Sequence, residues 1–397
     1  MNVVVIGGGV SGLTSSIVIA KRGHSVTVLE RYNKSLKKVL VTGNGKCNYW
    51  NDQFTSDHFY ANNKDFINNV ITSNNIKEVE EFFDSLGLVP TIKNGYYYPL
   101  SGQASSVRNS LLYEANKNGV NIINDAEVKK VEYNNKFIVY FNNEKIEADK
   151  VIIATGSNAY YEEKNIGYDL AKSMGHTINK VMPSLVQLVD KNKEFKDCSG
   201  VRSNATLSIH VDDKLIKQET GEVQLTEYGI SGICTFNISG IANRALNQNK
   251  KVKVYINFLN TINNIDELIN KRSILIGDRT IDSFFEEIVN YKLINTILNK
   301  RNIDKKLSWN SLNDKDKKII LNDLTNYELE IVSSKSFNSA QVCTGGVDTN
   351  EIDSSTMESK KQKGLYIIGE LLDVDGECGG YNLGFAFISG IISGRSV

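Results

Sequence analysis

The glycines near the amino terminus have a spacing that could do chemistry. Residues 7–12 read GGGVSG, a GxGxxG pattern, directly after the β-branched run NVVVI and before an apolar helical stretch. In this setting the first glycine permits a tight turn, the second lets a pyrophosphate approach the backbone, and the third lets helix and strand pack closely. The helix amino terminus then attracts the phosphates through its free N–H groups. The pattern predicts a dinucleotide site.

An acidic residue follows the second predicted strand. That strand covers residues 25–29 (SVTVL), and Glu30 comes directly after it. A carboxylate at this place can accept hydrogen bonds from both hydroxyls of a ribose. It would also repel the 2′-phosphate of NADP. The site is therefore predicted to hold FAD or NAD.

Two later segments favour FAD over NAD. Residues 151–157 (VIIATGS) are a buried strand that ends in small residues, which resembles the second fingerprint of flavoproteins with two dinucleotide domains. Residues 364–370 (GLYIIGE) resemble the flavoprotein strand whose terminal acid bonds the ribitol chain, with Glu370 in place of aspartate. Asp373 or Asp375 could share that role, or all three acids could lie on a solvated loop.

A glycine pair opens the last predicted helix, in residues 376–383 (GECGGYNL). Such a pair leaves backbone N–H groups bare, and a helix amino terminus there can stabilise negative charge on the N1–C2=O edge of a reduced flavin. Simple helix capping is the alternative. Since an NAD-only Rossmann domain would not need this distant return of the chain, both chain ends are expected to enclose one FAD.

The elements that must position these residues alternate between strands and helices at first, which predicts an α/β fold with a Rossmann-like domain. Short alternating strands are predicted over about 190–258, and helical periodicity over 262–325. Before these, helices are predicted over 10–22, 64–73, 76–86 and 103–118, and strands over 120–123, 126–133, 136–141, 145–148 and 151–155.

Composition excludes several classes of protein. The 46 basic and 46 acidic side chains cancel, which argues against broad attraction to nucleic acid or to anionic membranes. Five widely spaced cysteines without a CxxC pair disfavour a disulfide framework and a structural zinc site, and fit a reducing compartment. No apolar run approaches the roughly 18 residues needed to span a bilayer. A cytoplasmic protein without a metal site is expected, and its oligomeric state stays open.

A series of motifs, in order along nearly the whole chain, resembles one family. These flavoproteins are known as NAD(FAD)-utilizing dehydrogenases or aminoacetone-oxidase-like FAD enzymes of bacteria (BaiN-like and YhiN-like). The motifs are residues 38–48 (KVLVTGNGKCN), 102–107 (GQASSV), 154–156 (ATG), 175–177 (GHT), 183–185 (PSL), 226–232 (TEYGISG), 345–347 (GGV), 356–360 (TMESK), 369–376 (GELLDVDG) and 379–382 (GGYN).

The resemblance implies a glutathione-reductase-type FAD domain built from both chain ends, with an inserted β-barrel-like plus helical domain. The expected domains are 1–190 with 335–397 for FAD binding, 191–260 for the β-rich insert and 261–334 for the helical insert. The chain departs from the family pattern at Lys46 (usually Arg), Ser157 (Gly), Glu227 (His) and Ile233 with Cys234 (Pro). Lysine keeps the charge of arginine but loses its bidentate fork.

The implied activity is that of an FAD-dependent oxidoreductase acting on a small or ring-containing organic substrate. A bile-acid Δ4,6-reductase belongs to the family, which favours NAD(P)H-linked reduction of a C=C bond next to a carbonyl. The chain has no second GxGxxG motif, so either NAD(P)H docks transiently, or the organic substrate reduces FAD and another acceptor reoxidises it. A non-catalytic flavin-binding redox sensor is the alternative, and nucleic-acid modification is a weaker third option.

Catalytic residues are not assigned from the sequence. Cys47 is expected to pack near the flavin rather than act as a redox thiol, because it has no nearby resolving cysteine. Tyr96, Tyr97 and Tyr98 either pack at a strand edge or line a substrate cleft, and His176 is expected to be structural. The predicted FAD contacts are Gly7, Gly9, Ser11, Gly12, Glu30, Arg31, Lys38, Gly43, Asn44, Gly45, Lys46, Cys47, Asn48, Val128, Ala154, Thr155, Gly156, Gly369, Glu370, Asp373, Gly380, Tyr381, Asn382 and Leu383.

Overall fold

The structure is a computed structural model that describes residues 1–160 and 164–397. The chain divides into two compact units, Met1–Met182 with Val342–Val397, and Pro183–Gln341. The helices are α1 (Val10–Lys21), α2 (Lys64–Val70), α3 (Ser73–Ser85), α4 (Ala104–Lys117), α5 (Ile166–Ser173), α6 (Ile233–Asn247), α7 (Ile265–Ile276), α8 (Ile281–Phe285), α9 (Tyr291–Arg301), α10 (Asp314–Thr325) and α11 (Tyr381–Ser396). The strands are β1 (Asn2–Ile6), β2 (Ser25–Leu29), β3 (Trp50–Asn51), β4 (Phe59–Ala61), β5 (Pro90–Lys93), β6 (Tyr96–Pro99), β7 (Asn121–Ile123), β8 (Val128–Asn134), β9 (Lys136–Phe141), β10 (Glu144–Ala148), β11 (Lys150–Ile153), β12 (Ile178–Ser184), β13 (Leu188–Asp190), β14 (Arg202–Val211), β15 (Lys214–Thr226), β16 (Gly229–Ser231), β17 (Val252–Asn257), β18 (Tyr327–Ser334), β19 (Val342–Val347), β20 (Leu365–Ile367) and β21 (Val374–Gly376).

A parallel sheet forms the centre of the first unit, in the order β20-β11-β1-β2-β7. Its central strands β1 and β11 are buried along almost their whole length, which is why they read as continuous apolar runs. Because β20 comes from the end of the chain, the two termini share one sheet. This arrangement confirms the predicted Rossmann-like fold class.

Helices α1 and α11 pack together through small residues. Ser15 Oγ and Ser393 Oγ lie 2.8 Å apart. A Cβ on Gly390 would lie 2.7 Å from the Ser11 carbonyl oxygen, and one on Gly394 would lie 2.7 Å from Val18 Cβ. Glycine at these positions therefore lets the last helix lie directly against the helix that follows the glycine turn.

An antiparallel hairpin array, β8-β9-β10, accompanies the parallel sheet. Asn135 and Asn142 take left-handed backbone conformations at its turns, with φ of 60° and 48°. Asparagine tolerates that conformation better than most residues, which suits both positions to hairpin turns. Across the described part of the chain, no helix combines the length and apolar character needed to cross a bilayer.

The second unit contains a closed barrel in the order β13-β16-β15-β14-β17-β18. Two elements differ from the sequence prediction. Helix α6 lies where only short strands were predicted, and its buried residues Cys234, Ile238, Ala242 and Ala245 recur at helical spacing. Strand β18 lies inside the range expected to be helical. Its period-two pattern is short and follows directly on α10, so the sequence does not separate the two elements. Helices α7 to α10 confirm the helical periodicity over 262–325.

Candidate functional site

The glycine turn between β1 and α1 has three glycines with different constraints. Gly7 has φ of +110°, and a Cβ there would overlap the Ala154 carbonyl oxygen. A Cβ on Gly12 would overlap the Gly7 carbonyl oxygen, whereas one on Gly9 would meet no atom within 4 Å. Gly7 and Gly12 are thus required by packing, and Gly9 borders open space at the start of α1, as a pyrophosphate site requires.

Glu30 is fixed beside this turn. Its Oε2 accepts a hydrogen bond from the Gly8 N–H (2.8 Å), and its Oε1 accepts one from the Tyr32 N–H (2.9 Å). Burial raises the pKa of this carboxyl above its ordinary value. Each oxygen keeps a further lone pair for a ribose hydroxyl. Arg31 donates to the Tyr32 hydroxyl (2.6 Å) and lies over the Tyr32 ring.

Val128 lies on the segment next to Glu30. The Ala126 N–H, two residues earlier, donates to the Glu30 carbonyl oxygen at 2.8 Å. Val128 itself is buried at the start of β8. The structure therefore brings this predicted contact to the same edge of the sheet as Glu30, the predicted ribose-binding acid.

The end of β20 lies against the first turn of α1. Gly369 has φ of +68°, and a Cβ there would lie 2.5 Å from Ser11 Oγ. The next residue, Glu370, accepts a hydrogen bond from Lys38 Nζ through its Oε2 at 2.8 Å. The structure thus brings together predicted contacts from three distant parts of the chain.

Asp373 is engaged by protein groups at both oxygens. Its Oδ1 accepts from the Gly345 N–H (3.0 Å), and its Oδ2 accepts from the Asn179 side-chain amide (2.8 Å). It is 3% exposed. Asp373 therefore connects β12 and β19 to the segment after β20, and Glu370 is the stronger candidate for the ribitol acid.

Three buried polar atoms near the ends of β11 and β20 have no hydrogen-bond partner within the described ranges: Thr155 Oγ1, Tyr168 OH and Glu370 Oε1. A Cβ on Gly167, next to Tyr168, would overlap Thr155 Oγ1. Burial, with a smaller effect of nearby groups that include Glu370, raises the pKa of the Tyr168 hydroxyl well above its ordinary value. A buried polar group without a partner costs about 1–3 kcal/mol. A hydroxyl-rich chain such as the ribityl group of FAD would satisfy these atoms, so the residues fit the cofactor.

Tyr168→Phe separates cofactor binding from folding. Removing an unpartnered buried hydroxyl should leave the stability of the apoprotein unchanged or raise it by up to about 1–3 kcal/mol, while loss of a hydrogen bond to the cofactor should raise the dissociation constant of FAD about 5- to 10-fold. Thermal unfolding and FAD titration measure the two effects. The matched control is Tyr113→Phe, because Tyr113 lies exposed on α4. Unchanged FAD affinity in Tyr168→Phe would contradict this role.

The loop with the KVLVTGNGKCN motif begins with a 3-10 helix over Lys38–Gly45, in which Gly43 and Asn44 are left-handed. Lys46 is exposed at its end. Cys47 is completely buried, and burial raises its pKa to about 11. A thiol held so far from its thiolate form is a poor nucleophile, and the geometry favours packing.

The carboxyl-terminal glycine pair lies against the segment that follows this loop. A Cβ on Gly380 would lie 2.5 Å from the Trp50 carbonyl oxygen and 2.9 Å from the side-chain amide of Asn48. Asn51 donates from its amide to the Gly379 carbonyl oxygen at 2.8 Å. A Cβ on Gly379 would lie 3.0 Å from Tyr96 Cε1. The amino terminus of α11 is therefore placed beside the predicted flavin loop.

Residues of the first turn of α11 hold that turn in place. The Asn382 amide donates to the Gly376 carbonyl oxygen (2.8 Å) and accepts from the Gly376 N–H (2.9 Å). Tyr381 is buried among aromatic rings that include Phe59. Leu383 packs against the main core. Gly156, after β11, is left-handed and a Cβ there would meet no atom within 4 Å.

His176 lies in a buried hydrogen-bond chain. Ser359 Oγ accepts from the Lys361 and Gln362 N–H groups (3.0 and 2.9 Å), so its own proton is free to donate to His176 Nε2 at 2.7 Å. The other ring nitrogen, Nδ1, lies 3.2 Å from Glu351 Oε2. The order Ser–His–Glu resembles a hydrolase triad, but the His176 side chain is 0% exposed. This series of hydrogen bonds joins the segment before β12 to the segment before β20, and its role is structural.

His176→Gln should flatten the pH dependence of stability. Burial lowers the pKa of His176 below its ordinary value, so as pH falls the unfolded chain binds the proton first. The contribution of His176 is complete above about pH 6.5 and is lost as pH falls through the folded-state pKa. Urea unfolding should show that lowering the pH from 7 to 5 reduces the free energy of unfolding more in wild type than in His176→Gln. His24→Gln is the control. Parallel losses in wild type and His176→Gln would contradict the buried neutral imidazole.

Sequence reasoning found no partner for His58. In the structure His58 Nδ1 lies 2.8 Å from Glu377 Oε2, and the imidazole stacks on the Tyr381 ring. The two partners are far apart in the chain, and no local pattern links them. The only hint in the sequence that Glu377 has a functional role is its position close to the glycine pair Gly379 and Gly380.

Comparison with known proteins places the chain in a family. The family model described as "HI0933-like protein Rossmann domain" matches residues 1–396. A 3-dehydro-bile acid delta(4,6)-reductase of Clostridium scindens is 35% identical over 99% of this chain and 98% of its own length. A ribosomal RNA dihydrouridine synthase of Haemophilus influenzae is 27% identical over 99% and 98%.

Among solved structures, a 3-ketosteroid-delta4-(5alpha)-dehydrogenase of Rhodococcus jostii RHA1 matches with TM-score 0.51 and 12% identity, over 99% of this chain and 96% of that one. At this identity the likeness shows the fold alone. The family model and the 35% identical relative confirm the predicted family, the Rossmann-like fold and the class of flavoprotein oxidoreductase. The chain belongs to the HI0933-like Rossmann family.

Proposed function

We propose that the chain is an FAD-dependent reductase that saturates a C=C bond conjugated with a carbonyl in a small, ring-containing substrate. The observation that carries this proposal is the 35% identity over nearly the whole chain to a relative named a 3-dehydro-bile acid delta(4,6)-reductase. The relatives named dihydrouridine synthases point to the same chemistry, because the pyrimidine C=C bond that they saturate is also conjugated with a carbonyl. The shared reaction is hydride addition to the β-carbon of an α,β-unsaturated carbonyl compound.

The residues of the chain hold and orient the cofactor in this proposal. The turn at Gly9 and the carboxylate of Glu30 bind the adenosine diphosphate part, and Glu370 with Tyr168 binds the ribityl chain. Bound FAD supplies the hydride acceptor and donor. The amino terminus of α11, which begins directly after Gly380, stabilises negative charge on the flavin, as helix amino termini do for anions.

The electron donor is proposed to be NADH or NADPH, docking transiently. The chain lacks a second dinucleotide motif, so no separate nicotinamide domain would hold it. The test is anaerobic mixing of the flavin-loaded protein with NADH or NADPH while the visible absorbance of the flavin is followed. Bleaching, and recovery on addition of a cyclic enone, is the expected result. No bleaching by either nucleotide, and no recovery with any enone after chemical reduction, would favour a flavin-binding sensor.

A second candidate is reduction of uridine in ribosomal RNA, which the relatives at 27% and 24% identity favour. The zero net charge supports the small substrate instead, since RNA binding draws much of its affinity from phosphate contacts. Both substrates can be offered to the reduced protein in parallel. Faster reoxidation by an rRNA fragment than by cyclic enones would replace the small-substrate proposal with this one.

A further inference from the structure

His58 and Glu377 form a pair beside the amino terminus of α11. His58 Nδ1 lies 2.8 Å from Glu377 Oε2, and the Glu377 N–H donates to the His58 carbonyl oxygen at 3.0 Å. The pair follows from the antiparallel pairing of β4 with β21, which places Phe59 opposite Gly376. Both side chains are partly exposed, 29% for His58 and 22% for Glu377.

The pair is held in a defined orientation. The imidazole stacks on the Tyr381 ring with 4.5 Å between centroids and 18° between planes. Tyr381 is the first residue of α11, directly after the glycine pair Gly379 and Gly380. The ring is therefore fixed at the end of the helix that faces the flavin in the proposed function.

The chemistry of the pair is that of an oriented proton donor. A carboxylate at Nδ1 fixes the orientation of the imidazole ring, which leaves Nε2 as the atom that exchanges a proton. No described residue hydrogen-bonds to Nε2. Histidine is the side chain most often used for proton transfer at neutral pH. The barrel histidine His210, by contrast, has no carboxylate among its described contacts.

We infer that His58 donates the proton that completes reduction of the substrate, with Glu377 as its positioning residue. This inference rests on the proposed function. The hydride from reduced FAD forms the new C–H bond at the carbon far from the carbonyl, and the C=C electron pair moves to the carbon next to the carbonyl. That carbon takes the proton from His58 Nε2, and the neutral imidazole regains a proton from solvent.

The test measures the two half-reactions separately in the full-length, flavin-loaded protein. In His58→Gln, reduction of the flavin by NAD(P)H should keep its wild-type rate, while reoxidation by a cyclic enone should slow by about 10²- to 10⁴-fold, the usual contribution of proton transfer. Added imidazole should restore part of the rate. Glu377→Gln should slow the same step less, and His210→Gln should leave both steps unchanged.

Each outcome has a defined meaning. Equal reoxidation rates in wild type and His58→Gln overturn the assignment alone. Equal slowing of both half-reactions without imidazole rescue shows a structural role and also overturns it. If His58→Gln loses its flavin, the test is made with Glu377→Gln instead. A wild-type rate of flavin reoxidation by the enone in Glu377→Gln then overturns the assignment. A wild-type protein whose reduced flavin is not reoxidised by any enone overturns the proposed function, and the assignment with it.

Discussion

Gly9→Val is expected to give a folded protein that retains no flavin. Gly9 has φ of −80°, a conformation open to any residue, and its Cβ direction is free of atoms within 4 Å. The valine side chain would occupy the space that the pyrophosphate needs at the amino terminus of α1. A loss of at least about 100-fold in FAD affinity, about 2.7 kcal/mol, is expected. The ratio of flavin to protein after gel filtration, with thermal unfolding of the apoprotein, measures both parts.

Gly12→Val is the matched comparison. A Cβ on Gly12 would overlap the Gly7 carbonyl oxygen and lie 3.3 Å from Ala154 Cβ. Overpacking of this kind costs about 1–3 kcal/mol or more, so this variant should lose both stability and flavin. If Gly9→Val stays yellow, or unfolds as readily as Gly12→Val, the pyrophosphate does not lie at this turn.

Gly390→Val is expected to destabilise the first unit by about 3 kcal/mol and to remove the flavin as a consequence. A Cβ on Gly390 would lie 2.7 Å from the Ser11 carbonyl oxygen and 2.9 Å from Thr14 Cβ. The added side chain must push α11 away from α1. Since α11 carries the glycine pair and α1 follows the predicted phosphate turn, the two halves of the candidate cofactor site would separate.

Tryptophan fluorescence can report this effect. The two tryptophans are Trp50, in the first unit, and Trp309, in the second. In a Trp309→Phe background, urea unfolding followed at Trp50 reports on the unit that holds the glycine turn. Ser396→Val places the same side chain at the end of α11 and should cost far less. If both variants unfold at the same urea concentration, the close approach of the two helices does not limit stability.

The sequence predicted the glycine turn well, because its requirements are local. A β-branched strand, a glycine with positive φ and a following helix are encoded within a short stretch, and the structure has them at β1, Gly7 and α1. The buried strands β11 and β20 were also recognisable, since strands covered on both faces are apolar throughout. Helix α6 was missed because its helical spacing lies among barrel strands.

Hydrogen bonds between side chains that are far apart in the sequence could not be predicted from it. Glu370 was the candidate for the ribitol acid, and Asp373 or Asp375 could share that role. In the structure Asp373 is engaged by Gly345 and Asn179, while one oxygen of Glu370 has no partner within the described residues. Which acid stays available depends on how β12 and β19 pack, and periodicity does not encode that.

The sequence by itself determined the family, the Rossmann-like fold and FAD as the cofactor, because backbone conformation and burial follow from local residue types and their spacing. The tertiary structure alone decided which polar groups meet. His58 and Glu377 are joined because β4 and β21 pair, and the interaction of their side chains depends on a distance of a few ångströms that only the packed chain defines.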